Sequence, residues 1–271
     1  MKKLSALVLR SAGTNCDGET VRALEMAGAD VSRLHLNALA KEPERLDGIG
    51  IVTIAGGFSY GDYVAAGRIF GLELRQRLGD RLRRFVDDGG YLLGVCNGFQ
   101  ILVELGMFQP DREPHERTIA LTDNASNRFE CRWVTLRADP SKVSWLEPGE
   151  LMPVPVAHAE GRFQVKDDAA LRELQENKQI VLRYVADDGA RDPGYPANPN
   201  GSAADIAGIC DPTGRVLGLM PHPERNLSPW NHPTWTRLGP REEGEGVSFY
   251  RRLVAAAAGT APNQLASQSS R

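Results

Sequence analysis

The chain has only 4 cysteines in 271 residues, Cys16, Cys96, Cys131 and Cys210, and none forms a C-x-x-C pair. That spacing excludes a zinc ribbon and a dense disulfide framework, and it fits a reducing, cytoplasmic compartment. Long apolar runs are missing too: none approaches the roughly 18 residues of a membrane span. The opening stretch MKKLSALVLR carries two lysines but too short an apolar run for a secretory signal, so it reads as a buried first strand. No charge of one sign dominates. With 32 Lys and Arg against 35 Asp and Glu, the net charge is −3, which argues against nucleic acid or an anionic membrane as the main partner. Internal repeats and a separate linker are also absent. Glycine is the opposite case: 28 residues exceed the usual share of about 7%, so many turns are tight.

What is present centres on Tyr91–Leu102, YLLGVCNGFQIL. An apolar strand-like run meets helix-spaced Phe99, Leu102 and Val103 across Gly94-Val95-Cys96-Asn97-Gly98. This G-x-C-x-G is the thiol counterpart of a strand–turn–helix nucleophile elbow. Flanking glycines are what so sharp a turn requires, because side chains there would strike strand or helix. Cys96 would stand at a helix N-terminus, where the dipole and free N–H groups favour thiolate.

Upstream, Leu4–Leu9, Val31–Leu36 and Gly48–Ile54 read as strands, with a helix from Asp17 to about Ala27 ended by Gly28. The β-α-β-β order is that of a wound, mostly parallel sheet flanked by helices. The third strand runs into Ala55-Gly56-Gly57-Phe58-Ser59-Tyr60-Gly61-Asp62. A glycine pair at a strand's C-terminal end lets backbone approach a ligand, and lacking G-K-[ST] it is no phosphate loop. Leu72–Asp88 reads as an amphipathic helix whose arginines, interleaved with acids, make a solvated face. Alternation around Phe129, Cys131 and Trp133 places Cys131 on a core face of a strand. Further strands are read at Leu151–His158 and Gln179–Val185, with a hairpin pair at Asp205–Ile209 and Arg215–Met220. Asp167–Asn177 reads as a short helix, and Asp187–Ser202 as a long loop. A last helix spans about Val247–Ala258. Residues 1–259 form one expected domain, and 260–271 a small, polar, disordered tail.

A thiolate at an elbow needs an imidazole and a group that fixes its tautomer. Two of the five histidines have a carboxylate two residues on: His158-Ala159-Glu160 and His222-Pro223-Glu224. Pro221 and Pro223 stiffen the second pair into an extended strand end, where residues i and i+2 share a face. His222 with Glu224 is therefore the expected base and orienting acid. A Cys/His/Glu metal site would need more ligands than the sequence offers, so none is expected.

Taken together, GTNCD, AGGFSYGDYVAAGRIF, GVCNGFQIL, AHAEGRF, NPNGS, IAGIC and LGLMPHPER resemble the glutaminase subunit of phosphoribosylformylglycinamidine synthase. That family is a class I glutamine amidotransferase of flavodoxin-like α/β fold, serving purine (IMP) synthesis. The similarity spans roughly Leu4 to Arg225. It implies that Cys96 attacks the side-chain amide of glutamine, with His222 as base, Glu224 orienting it, and the backbone N–H groups of Gly57 and Asn97 as the oxyanion hole. Gly56 and Gln100 would support the substrate. His158, Glu160, Arg162, Asn198 and Asn200 lie in family segments outside the triad and are candidate partner contacts. Cys16, in GTNCD, is the one rival nucleophile. The resemblance further implies a synthetase partner that uses ATP and Mg2+, a small adaptor subunit, and no cofactor in this chain. AHAEGRF has alanine where glycine is common, a tolerable change. Asn226–Gly246, with Trp230 and Trp235, looks longer than in compact members and either meets the partner or elaborates the surface. A glutaminase serving another synthetase, a peptidase of similar fold and a catalytically silent scaffold stay open as alternatives.

Overall fold

Residues 3–260 are described by a computed structural model; the expected tail from 261 onward lies outside them. The first half alternates strand and helix, with a short helix between the second and third strands where the sequence reading has strand following strand: β1 (Ser5–Arg10), α1 (Asp17–Met26), β2 (Asp30–His35), α2 (Leu36–Lys41), β3 (Ile51–Ile54), α3 (Arg68–Asp87), β4 (Tyr91–Val95) and α4 (Asn97–Leu105). Then follow β5 (Ile119–Thr122), β6 (Glu130–Ala138), β7 (Leu151–His158), β8 (Arg162–Val165), α5 (Asp168–Glu176), β9 (Ile180–Val185), β10 (Ile206–Cys210), β11 (Val216–Leu219) and α6 (Glu245–Ala257). Nine strands make one sheet in the order β2-β1-β3-β4-β11-β10-β9-β6-β7, while β5 and β8 pair separately.

From β2 to β11 the neighbours run parallel, and beyond β11 they run antiparallel. The physical cause is burial. Ala6 to Leu9, Ile51, Val52 and Leu93 are wholly inaccessible to solvent, as strands covered by helices on both faces must be. Of those helices, α1 packs against α6 and α3 against α4. The fold is therefore the expected α/β class, with five mutually parallel strands at its core.

One crossover decides the rest. After α4 the chain builds the antiparallel strands and then returns as β11 beside β4, with Leu219 opposite Val95. On the other side of β4, Ile54 of β3 stands opposite Gly94. The C-terminal ends of β3, β4 and β11 thus lie together, and three loops distant in sequence leave the sheet at one place. Gly218 clears room there: a Cβ on it would stand 2.2 Å from the Phe99 ring of α4. Phe99 in turn meets Phe108 edge-on at 5.4 Å.

Two expectations need correction, and two short elements carry no signal in the sequence. Cys131 is exposed, because Val134, Leu136 and Ala138 set the core parity of β6 and residue 131 falls on the other side. The helix α2 and the strand β5 lack a periodic apolar signal in the sequence, being only 6 and 4 residues long. The long helix begins at Arg68, earlier than its amphipathic pattern suggests, because Gly67 at φ +75° starts it hard against Gln100. Its arginines are solvated: Arg77 pairs with Glu73, and Arg81 with Asp47. Among the described residues no helix is long and apolar enough to cross a membrane.

Candidate active site

Cys96 sits between β4 and α4 at φ 53° and ψ −110°, a conformation that costs a non-glycine residue energy and persists only where its surroundings hold it. Its N–H donates to Leu219 O at 2.8 Å, and its carbonyl accepts from Phe99 N at 2.9 Å. The flanking glycines are obligatory for packing. A Cβ on Gly94 would lie 2.6 Å from Gly98 O, and one on Gly98 only 1.9 Å from Ile54 O. The thiol is 5% exposed and lies 3.7 Å from Ala157 O.

His222 leaves the end of β11. Its N–H donates to Pro155 O at 2.9 Å, which ties the loop to β7. Pro223–Arg225 forms a single 3-10 turn rather than the extended stretch expected, yet acid and imidazole still meet. His222 Nδ1 and Glu224 Oε1 are 2.6 Å apart, and both residues are 1% exposed. Burial alone would depress the imidazole. The Glu224 carboxylate, then Cys96 and Cys16, outweigh it and hold His222 well above its ordinary value. Its Nε2 is buried and has no hydrogen-bond partner. On the far side of Glu224, the Tyr250 hydroxyl of α6 donates to Oε2 at 3.4 Å. Nothing in the sequence around Tyr250 announced that contact.

Cys16, the rival thiol, is 1% exposed and pushed up by burial. Cys16, His222 and Glu224 offer donor atoms within 4.8 Å of one another. The set suits a cation poorly, because the Arg225 guanidinium donates to Cys16 Sγ at 3.1 Å and brings its own positive charge.

The glycine loop is pinned from beneath. Gly56 O accepts from Asn15 N at 3.3 Å and from Cys16 N at 3.1 Å, while Phe58 N donates to Gly13 O at 2.9 Å. In a trans peptide the C=O and the following N–H point to opposite sides, so the Gly57 N–H is turned away from Asn15 and Cys16. Gly57 lies at φ +145°, with a Cβ position only 2.6 Å from Asn15 N; glycine alone fits. At Gly56 a Cβ would stand 3.0 Å from the His222 ring and 3.3 Å from Cys16 Sγ.

Gly57, Cys96, Gln100 and residues 157–160 line a narrow cleft, together with Phe58, Asp62 and Ala66. A roomier cleft lies over Pro43 and the Arg75–Arg84 face of α3, but no cysteine or histidine lines it. Within the narrow cleft the Asn97 and Gln100 side chains are spent on the protein. Asn97 Nδ2 donates to Asp62 Oδ1 at 3.1 Å and to Gln100 Oε1 at 3.0 Å, and Gln100 Nε2 donates to Glu160 O at 2.6 Å. Gln100 is thus a support.

The candidate partner contacts divide. His158, Asn198 and Asn200 are buried, at 3%, 8% and 0% exposure, and they serve the subunit itself. His158 Nδ1 meets Asn124 Oδ1 at 3.1 Å, Asn198 Oδ1 accepts from Gly201 N at 3.0 Å, and Asn200 Nδ2 donates to Gly161 O at 2.8 Å. Those bonds lie within the subunit, and His158 also lines the narrow cleft. Glu160 and Arg162 stay partly accessible; Glu160 Oε2 accepts from Ala66 N at 3.0 Å and Arg162 Nε donates to Gly201 O at 3.1 Å.

A cysteine on a strand–turn–helix elbow, a His–Glu pair and a glycine-loop amide at the ends of three adjacent parallel strands define the glutamine amidotransferase class. Residues 3–256 match the model of the family described as CobB/CobQ-like glutamine amidotransferase domain. The chain is 42% identical over 255 residues to phosphoribosylformylglycinamidine synthase subunit PurQ of Dehalococcoides mccartyi, covering 94% of this chain and 98% of that protein. PurQ of Picrophilus torridus is 44% identical over 253 residues, covering 93% and 98%. The solved structure of PurLQS from Thermotoga maritima superposes with a TM-score of 0.70 at 30% identity, covering 94% of this chain and 99% of that one. The chain belongs to the PurQ family of phosphoribosylformylglycinamidine synthase subunits.

Proposed function

We propose that this chain hydrolyses glutamine to glutamate and ammonia through a Cys96 thioester, and delivers the ammonia to an ATP-dependent synthetase subunit in purine synthesis. The observation that carries this reading is a strained elbow thiol and the free Gly57 N–H at one cleft, with the His222–Glu224 pair held at the adjoining end of β11 and His222 raised in part by Cys96. The Cys96 thiol passes its proton to His222, its sulfur attacks the side-chain amide carbon, a C–S bond forms, and the carbonyl electron pair moves onto oxygen. Gly57 N–H and the first helical N–H, of Asn97, receive that charge. The His222 imidazolium protonates the amide nitrogen, the C–N bond breaks and ammonia departs. Neutral His222 then takes a proton from water, which attacks the thioester, and the second collapse releases glutamate and restores the thiol. Glu224 steadies the imidazolium in both halves.

ATP and Mg2+ belong to the synthetase in this scheme, which activates the acceptor amide, and a small adaptor subunit completes the assembly. PurQ and PurLQS as names of similar proteins support that partnership. The four free thiols suit a cytoplasmic setting. The deciding experiment is Cys96→Ala in the chain assembled with its synthetase. Glutamine-dependent product formation should vanish while ammonia-dependent formation persists. Survival of glutamine use in that variant would overturn the reading.

A further inference from the structure

The thiol chemistry leaves two carboxylates of the cleft unused, Asp62 and Glu160. We propose that Asp62, backed by Glu160, receives the α-ammonium group of glutamine and so selects an amino-acid amide over a simple amide. The inference rests on the reading that Cys96 hydrolyses glutamine.

The two acids stand close enough to disturb one another, yet among the described residues no Lys, Arg or His forms an ion pair with either. Nearby bases are committed elsewhere. Arg162 donates to a backbone carbonyl, and burial, followed by His222, pushes His158 down to about 3, so it is no counter-ion. Its Nε2 is likewise buried without a partner in the lining of the same cleft. Burial and Glu160 together push Asp62 up to about 6. A like-charge pair left uncompensated beside a nucleophile is what an incoming cation would relieve.

The backbone holds Asp62 there at a cost. Tyr60, Asp62 and Val64 have φ of 54°, 53° and 75°, and a β-branched residue in that region is an outlier. Fixed partners maintain the strain. Tyr60 N donates to Ala12 O at 2.8 Å, the Tyr60 hydroxyl to Glu73 at 2.9 Å, and Ala66 N to Glu160 Oε2 at 3.0 Å. Asn97 Nδ2 then aims the carboxylate from the elbow itself. The residue after the nucleophile therefore orients the group that would hold the other end of the substrate.

The test uses the full chain assembled with its synthetase and two substrates, glutamine and glutaramate, which is glutamine without the α-amino group. A charge-assisted contact of this kind is worth on the order of 10- to 100-fold in affinity. Asp62→Asn should raise KM and lower kcat/KM for glutamine by about that factor while hydrolysing glutaramate within about threefold of the parent, so discrimination collapses. Asp62→Glu should recover part of it. Glu160→Gln should shift discrimination in the same direction, by less, and reads the proposal independently should Asp62→Asn fold poorly. Equal losses on both substrates, or none, would overturn the subsite. A parent complex that hydrolyses neither substrate would instead overturn the glutaminase reading, and the subsite with it.

Discussion

Replacing Gly13 with alanine should disable the reaction without touching any group that meets the substrate. A Cβ there would lie 2.0 Å from Phe58 O, whereas a carbon–oxygen contact settles near roughly 3.3 Å. The Gly13 and Phe58 loops must therefore part by more than about 1 Å. Phe58 N donates to Gly13 O, and the peptide one step before it carries the Gly57 N–H, so the displacement falls directly on the proposed oxyanion donor. Productive geometry tolerates roughly 0.5 Å, and loss of one such donor costs about 10²–10³ in turnover. Alanine at φ +87° adds about 1–2 kcal/mol of backbone strain, a fall in Tm of about 2–8 °C for a domain of this size. The assay is glutamine hydrolysis in the assembled complex, run beside alkylation of Cys96 by iodoacetamide, which needs no oxyanion hole. Turnover should drop about 10²-fold or more while the alkylation rate stays within a few-fold. A folded Gly13→Ala protein with unchanged turnover would show that the Gly57 amide does not carry the oxyanion.

Two further outcomes follow from the charges. Glu224→Gln removes the group that holds His222 above its ordinary value, leaving burial to depress it; turnover should fall, but less than in His222→Ala, where the base itself is gone, and pre-steady-state acylation would read the difference. Asp62 is raised in the folded protein from 3.8 to about 6, so its contribution to stability is complete below pH about 4 and is lost as pH rises through about 6. Above that, Asp62→Asn should be at least as stable as the parent by thermal melting. Below it, KM for glutamine should climb in the parent as the carboxyl protonates beside Glu160, and stay flat in the variant.

Much of this site could be read in the chain. The elbow was legible because Gly94, Cys96 and Gly98 are neighbours whose spacing alone demands a sharp bend, and the bend takes up a φ of 53°. His222 and Glu224 were legible as the one His–acid pair stiffened by prolines, although the turn they adopt is 3-10 and not extended. Cys131 was misread because a strand's two faces differ only by parity, and the residues that settle it, Val134, Leu136 and Ala138, come later in β6. His158, Asn198 and Asn200 carried a family signal but no signal of depth, since a buried asparagine and a docking asparagine look the same in sequence.

By itself, then, the sequence determined the local chemistry: a nucleophile on a tight turn, a base with its acid, and glycines where no side chain fits. Tertiary structure decided which of these meet. Ala66 reaches Glu160 across 94 residues, Cys96 reaches Ala157 across 61, and Arg225 reaches Cys16 across 209. Such contacts depend on the return of β11 beside β4, a choice made by burying apolar strands between helices rather than by any short motif. The same packing placed Tyr250 behind Glu224 and set two carboxylates beside the thiol, because folding brings groups together by the surfaces they share and not by their order in the chain.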